Sequence, residues 1–122
     1  MDIKESGEMY LETILSLAKK MNTVRAIDVV AEMGFSKPAV SRALAKLRGD
    51  RLILVDNDGY IALTETGRQI AETIYERHTT LAKLLITLGV DEETATADAC
   101  QIEHDISEKS FHAIKKHIVE HS

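Results

Sequence analysis

Residues 33–51 decide the fold, and they read MGFSKPAVSRALAKLRGDR. Gly34 is typical of the residue that ends a helix, because glycine adopts the left-handed conformation at little cost. Ser36 is typical of the N-cap of a following helix, and Pro38 falls in its first turn, where a missing N–H is tolerated. The apolar residues of this second helix share one face, and they are Val40, Leu44 and Leu47. The stretch therefore predicts a helix, a short turn and a second helix.

The segments on either side predict the elements that pack with these two helices. Residues 6–21 carry apolar residues at helical spacing, so they predict a helix, and a second helix is predicted over residues 25–33, ending at Gly34. Residues 52–55 (LILV) and 60–63 (YIAL) are short apolar runs separated by the turn sequence DNDG, which indicates a β-hairpin. A helix, a turn, a helix and a hairpin in this order are typical of a winged helix-turn-helix.

The second half of the chain predicts helices alone. Residues 64–88 carry an apolar stripe too long for one small core, which indicates packing in a dimer. Asp91 and Ser107 are typical N-caps for two further helices. We therefore predict a mostly α fold with a small β-hairpin: a winged helix-turn-helix domain over residues 1–64, followed by a helical metal-binding and dimerisation domain over residues 65–122.

Composition favours a protein of the cytoplasm. No apolar run approaches the length that spans a bilayer, and the N-terminus has no secretory pattern, so we expect no membrane partner. The single cysteine, Cys100, excludes an internal disulfide and fits a reducing compartment.

Charge is distributed unevenly along the chain. The net charge is −5, yet residues 1–63 carry nine Lys/Arg and nine Asp/Glu, whereas residues 64–122 carry six and eleven. Within residues 37–51, five basic side chains are accompanied by a single acid, Asp50. A basic stripe on a neutral half is typical of a protein that approaches nucleic acid, and the acidic half needs another explanation.

The predicted helix after Ser36 leaves a basic face exposed opposite its apolar stripe. Small residues at its N-terminal end let the backbone enter a major groove, Arg42 can reach a guanine edge or a phosphate, and Lys37 and Lys46 suit phosphates. A solvated basic face in a small helical protein is the alternative. The predicted DNA-binding residues are Ser36, Lys37, Pro38, Ala39, Ser41, Arg42 and Lys46.

A second constellation lies near the C-terminus. Cys100, Glu103 and His104 fall at i, i+3 and i+4, so in a helix a thiol, a carboxylate and an imidazole share one face and form half of a transition-metal site. The wheel of this helix places Ala95, Ala99, Ile102 and Ile106 on a separate, core-facing side.

The remaining ligands have to come from other elements. Met9 and Glu12 lie off the core face of the first predicted helix, and His78 lies at the margin of the long apolar stripe. Taken singly, each of these residues has a structural interpretation: a gap-filling methionine, a partly buried histidine or a small buried cysteine. Three further histidines lack nearby thiol or carboxylate support and are expected at the surface: His112, His117 and His121.

Taken together, these segments resemble the DtxR/MntR family of metal-dependent transcriptional repressors. The matching segments span nearly the whole chain in the family's order: residues 8–12 (EMYLE), the winged helix-turn-helix through Thr64, Arg77-His78, residues 88–91 (LGVD) and residues 100–104 (CQIEH). The resemblance implies a homodimer that binds palindromic operator DNA when loaded with a divalent metal. It implies metal ligands at Met9, Glu12, His78, Cys100, Glu103 and His104.

The choice of metal stays open between two branches of this family. The iron branch has methionine and cysteine at the positions of Met9 and Cys100, whereas the manganese branch has aspartate and glutamate there. However, the iron branch also has a carboxylate and a histidine where this chain has Ala82 and Thr96. In ending without an SH3-like domain, the chain resembles the manganese branch. We expect Fe²⁺ or Mn²⁺ as the cofactor, with Zn²⁺, Co²⁺ and Ni²⁺ binding in vitro.

The predicted function is that of a non-enzymatic, metal-dependent repressor of metal-homeostasis genes. One alternative is a metal-independent winged-helix regulator that senses oxidation through Cys100, which would bind DNA equally with and without a chelator. A metal-storage or hydrolytic protein is a second alternative, but no nucleophile with a base and an orienting group is recognisable.

Overall fold

The computed structural model describes residues 3–121, with side chains from residue 7 onward. Within these residues it contains six helices and one two-stranded antiparallel sheet, so the predicted fold class is confirmed. The elements are α1 (Ile3–Met21), α2 (Ala26–Met33), α3 (Lys37–Gly49), β1 (Ile53–Val55), β2 (Ile61–Leu63), α4 (Glu65–Thr87), α5 (Glu92–Asp105) and α6 (Glu108–Glu120). The chain divides into two compact units, residues 1–72 and residues 73–122, and the division falls within α4.

The first unit is built around an apolar core that α1, α2, α3 and the hairpin share. The stripe predicted on α1 is buried, and Leu11, Ile14 and Leu15 are each no more than 2% exposed. Val29 of α2, Val40 of α3 and Ile53 of β1 belong to the same cluster. The hydrophobic effect therefore stabilises these short elements, because helices of 8 and 13 residues are marginal on their own.

The turn between α2 and α3 forms as the local sequence predicts. Gly34 has a φ of 72°, and its N–H donates to the carbonyl of Val30, which ends α2. The Ser36 side chain accepts a hydrogen bond from the N–H of Ala39 at 3.3 Å and caps α3. These two caps fix where α2 ends and where α3 begins.

The hairpin is held to the rest of its unit by contacts distant in sequence. Its strands pair Ile53 with Leu63 and Val55 with Ile61. A single bridge also joins Ile61 to the buried Val24, in the loop before α2, through an N–H···O bond of 2.7 Å. At the tip, the Asp56 carboxylate accepts hydrogen bonds from two backbone N–H groups within the turn, which uses this acid to stabilise the wing itself.

The start of α4 is tied to the segment before the hairpin. The Thr64 hydroxyl accepts from the N–H of Gly67 at 3.1 Å and donates to the carbonyl of Arg51 at 2.9 Å. Gly67 approaches the backbone so closely that a Cβ there would lie 2.0 Å from the carbonyl oxygen of Leu52. A glycine is therefore required where the wing meets α4.

The second unit contains the rest of α4 with α5 and α6. Leu81, Ala99 and Phe111, one from each helix, form its apolar cluster. Asp91 and Ser107 cap α5 and α6 as predicted, each accepting from the backbone N–H three residues later. Among the helices of residues 3–121, none combines the length and apolarity needed to cross a bilayer.

One face of α5 differs from the prediction. Ile102, which the helical wheel assigns to the core, is 36% exposed, whereas Glu103 is completely buried. The helix is turned so that Ala95, Ala99 and Glu103, spaced by four residues, point inward. Alanine side chains allow close approach at this face, and the carboxylate finds a hydrogen-bond partner there.

Candidate metal centre and nucleic-acid interface

A buried carboxylate lies at the centre of the candidate metal site. Glu103 of α5 is 0% exposed, and its Oε2 lies 2.7 Å from Nδ1 of His78 on α4. Because an ionised carboxylate only accepts hydrogen bonds, Nδ1–H of His78 is the donor. This bond orients the imidazole and leaves the lone pair on Nε2, which is how carboxylates commonly support metal-ligating histidines.

The other oxygen of this carboxylate faces a second imidazole. Oε1 of Glu103 lies 3.3 Å from Nε2 of the buried His104. Among the described residues, Oε1 has no hydrogen-bond partner of acceptable geometry. Burying a carboxylate oxygen without compensation costs several kcal/mol, by roughly the penalty known for buried ions. An orphaned, buried oxygen beside two imidazoles fits a divalent cation, so these residues are suited to hold the metal that the resemblance implies.

An arginine that the sequence reasoning missed anchors this part of α5. Nη1 of Arg77 donates to the carbonyl oxygens of Glu103, at 3.3 Å, and Ile106, at 3.1 Å. Its guanidinium carbon lies 5.7 Å from the centre of the Phe111 ring. The last carbonyls of a helix lack intrahelical partners and attract cations. The position of Arg77, directly before His78, is the only sequence signal that could have suggested this role.

The side chains of the three other predicted ligands are more exposed than that of Glu103. Cys100 lies on α5 one turn before His104, and its side chain is exposed. Met9 and Glu12 lie one turn apart on α1 in the first unit, and both are half-buried. Within the second unit, the geometry therefore brings together one carboxylate and two imidazoles, and the participation of Met9, Glu12 and Cys100 stays a prediction.

The predicted DNA-binding residues lie at the start and on the outer face of α3. Ala39 is half-buried, its N–H donates to the capping Ser36 hydroxyl, and the other members are exposed. The exposed members are Ser36, Lys37, Pro38, Ser41, Arg42 and Lys46. The basic side chains thus point away from the core face formed by Val40, Leu44 and Leu47. The exposed basic face of α3 could therefore enter a major groove.

Comparison with known sequence families accounts for both halves of the chain. Residues 2–61 match the N-terminal DNA-binding domain of iron-dependent repressors, and residues 64–120 match the metal-binding and dimerisation domain of the same repressors. The resemblance inferred from the residues is thereby confirmed.

Individual relatives and a solved structure agree with this assignment. The transcriptional regulator MntR of Escherichia coli O6:H1 is 32% identical over 92% of this chain and 72% of its own length. The iron-dependent repressor IdeR of Mycobacterium bovis is 32% identical over 88% of this chain and 47% of its own length. The structure of the manganese regulator SloR superposes with a TM-score of 0.82 at 26% identity, over 92% of this chain and 53% of that one.

The chain thus spans about half the length of two of these proteins and most of the third. These similarities cover the winged helix and the helical unit alike, and they agree with the buried carboxylate beside two imidazoles and with the exposed basic helix. The chain belongs to the DtxR/MntR family of metal-dependent transcriptional repressors.

Proposed function

We propose that this protein binds palindromic operator DNA as a homodimer when it is loaded with Fe²⁺ or Mn²⁺, and that it represses genes of metal homeostasis. Residues 1–64 act as the DNA-binding domain, and residues 65–122 act as the metal-binding and dimerisation domain. The observation that supports the proposal most strongly is the buried Glu103 carboxylate between two imidazoles, with one oxygen left without a hydrogen bond among the described residues. The proposed ligands are Met9, Glu12, His78, Cys100, Glu103 and His104.

The proposed ligands of the second unit, and Arg77 beside them, each have a distinct role in this site. The bound ion supplies the positive charge that compensates the buried carboxylate and a Cys100 thiolate. His78 is held in one ring orientation by its 2.7 Å hydrogen bond to Glu103. His104 presents Nε2 on the same side as Oε1 of Glu103. Arg77 holds the end of α5, which keeps both ligands in place.

The donor chemistry bears on which metal is used. Met9 contributes a thioether and Cys100 a thiol, and soft donors favour Fe²⁺ over Mn²⁺. Glu12 and Glu103 are hard oxygen donors that both ions accept. Selection by affinity alone is not expected, because the Irving–Williams order ranks both ions below Co²⁺, Ni²⁺ and Zn²⁺.

Exposed apolar side chains support the homodimer. Several large apolar residues of the second unit remain accessible in the single chain, including Leu88 at 70% and Val119 at 69% exposure. An interface between copies of the chain would cover them, as the long apolar stripe predicts. The exposed residues are Tyr75, Ile86, Leu88, Ile102 and Val119.

The proposed DNA contacts follow from the chemistry of α3. Arg42 is placed to read a guanine edge or bind a phosphate, and Lys37 and Lys46 contact phosphates. A two-fold symmetric dimer presents two such helices, so half-sites separated by about 10 base pairs or a multiple are expected.

The deciding experiment is a DNA-binding titration under anaerobic conditions. Fe²⁺, Mn²⁺, Zn²⁺, Co²⁺ and Ni²⁺ are added in turn to the chelated protein with operator DNA, and a chelator is added back at the end. Metal-stimulated binding that the chelator reverses is expected. DNA binding that is unchanged by the chelator would contradict the proposal and favour oxidation sensing through Cys100.

A variant at the buried carboxylate tests the site itself. Glu103→Gln keeps the shape and removes the charge, so it should abolish the response to Fe²⁺ and Mn²⁺ and leave a folded dimer. Glu93→Gln, at an exposed position on the same helix, is the matched control and should respond as the parent does. If Glu103→Gln responds to metal like the parent, the site assignment is wrong.

A further inference from the structure

The end of α6 repeats, on an exposed surface, the spacing of the ligands proposed on α5. His117, Glu120 and His121 fall at i, i+3 and i+4, as do Cys100, Glu103 and His104 on α5. All three side chains on α6 are exposed. Two imidazoles and a carboxylate therefore lie within one turn at the C-terminal end of a helix that contributes no ligand to the proposed regulatory site, with His121 at its C-cap.

The two imidazole rings are already paired. Their centroids lie 4.0 Å apart, and the planes are inclined by 25°. Zn²⁺ binds imidazole nitrogen at about 2.0–2.1 Å, so the two rings are close enough to share one ion once side-chain rotation brings their lone pairs together. The ring of His112, earlier on the same helix, has no such neighbour one turn away, because Glu108 and Lys116 occupy those positions.

A hydrogen bond prepares one ring for coordination. Nδ1 of His121 lies 2.9 Å from the backbone carbonyl oxygen of His117, and because a carbonyl only accepts, Nδ1–H is the donor. The lone pair is then on Nε2, where it is available to an ion. Metal-ligating histidines commonly donate their second N–H to a backbone carbonyl in this way. Capping of the helix end explains this bond, but it requires no second imidazole beside the ring.

We propose that His117 and His121, with Glu120 adjacent to them in the sequence, form a surface site for a late first-row divalent ion such as Ni²⁺ or Zn²⁺. Imidazole suits these ions, and they lie above Mn²⁺ and Fe²⁺ in the Irving–Williams order. Water fills the remaining coordination positions because the site is exposed. The proposal is independent of the regulatory site, since none of its donors belongs to that set.

The test is the number of Ni²⁺ ions bound per chain, measured on the full-length protein by isothermal titration and by equilibrium dialysis. His117→Ala and His121→Ala should each bind one ion fewer than the parent, and His112→Ala is the matched control that should bind as many as the parent. The variants keep the helix, because the positions are exposed and alanine favours helical structure. Glu103→Gln should keep the α6 ion, which separates this result from any failure of the regulatory site.

Two results would overturn the proposal. One is an unchanged Ni²⁺ count in His117→Ala and His121→Ala. The other is a loss of the ion in His112→Ala as well, which would indicate unspecific binding to exposed histidines. A parallel titration with Mn²⁺ should show the same count in the parent and in all three variants. A lower Mn²⁺ count in His121→Ala would contradict the selectivity that the donor set implies.

Discussion

Replacement of Arg77 by methionine tests how the end of α5 is held. Methionine keeps the length and the apolar stem of the side chain but removes both hydrogen bonds from Nη1, at 3.3 Å and 3.1 Å. Hydrogen bonds from a charged donor contribute about 1.5–3 kcal/mol each, and these two are long, so their combined loss is about 3 kcal/mol. Loss of the contact with Phe111 adds about 0.5 kcal/mol.

A partial compensation lowers the expected loss of unfolding free energy. Nε of Arg77 is buried and has no hydrogen-bond partner among the described residues, so the substitution also removes a group whose burial costs about 1 kcal/mol or more. The free energy of unfolding should therefore fall by about 2 kcal/mol in Arg77→Met. For a chain of this size, that corresponds to a melting temperature lower by roughly 8 °C.

Urea unfolding in the presence of a chelator measures this change without a contribution from metal binding. Arg68→Met, at an exposed position on the same helix, is the control and should stay within about 0.5 kcal/mol of the parent. An Arg77→Met variant as stable as Arg68→Met would refute the reasoning, because the two carbonyl contacts would then contribute nothing. Arg77→Lys keeps the charge and should recover part of the loss.

Three further substitutions test the close approach at Gly67, the proposed DNA contact of Arg42 and the cap at Asp91. Gly67→Ala should lower the free energy of unfolding by about 1–3 kcal/mol in urea titrations, because its Cβ would lie 2.0 Å from the carbonyl oxygen of Leu52. Arg42→Ala should weaken operator binding about 5- to 150-fold (about 1–3 kcal/mol) in fluorescence anisotropy and leave metal uptake unchanged. Hydrogen bonds from Thr94 hold the pKa of the Asp91 carboxyl below its ordinary value. The stabilisation from this cap is therefore fully present above pH 3.8 and is lost as the pH falls through the lowered pKa. Asp91→Asn should remove this acid-sensitive part of the helical circular dichroism signal.

Matched positions provide the controls. Gly49→Ala has open space around the added Cβ and should not be destabilising, so an equal loss of stability in both glycine variants would contradict the steric argument. Arg48→Ala, on the same helix as Arg42 but outside the proposed DNA-binding face, should bind the operator nearly as well as the parent. Equal weakening in both arginine variants would indicate a general charge effect.

The local signals of the sequence predicted the helix ends accurately. Gly34, Ser36, Asp91 and Ser107 all occupy the capping positions expected from their residue types. Caps depend on backbone groups within four residues, so tertiary packing seldom overrides them. The order of these caps, with the hairpin between them, was enough to predict the winged helix-turn-helix and the helical unit that follows.

Contacts between distant segments could not be predicted in the same way. The bridge from Val24 to Ile61 and the approach of Gly67 to Leu52 join residues that no periodic pattern relates. The helical wheel of α5 also failed at Ile102, because hydrophobicity alone assigned it to the core. The wheel contains no information about partners on other helices.

The burial of Glu103 in place of Ile102 departs from the apolar pattern of α5. Turning α5 to bury the isoleucine would have gained apolar burial, yet the structure exposes 36% of that side chain and encloses the carboxylate of Glu103 completely. A buried carboxylate beside two imidazoles destabilises the protein unless further positive charge or hydrogen bonds compensate it. In the proposed site, Glu103 therefore costs stability in the absence of metal and provides the charge that attracts the ion. Because a ligand that binds only the folded state stabilises it, the proposed site predicts that metal binding raises the stability of the folded chain.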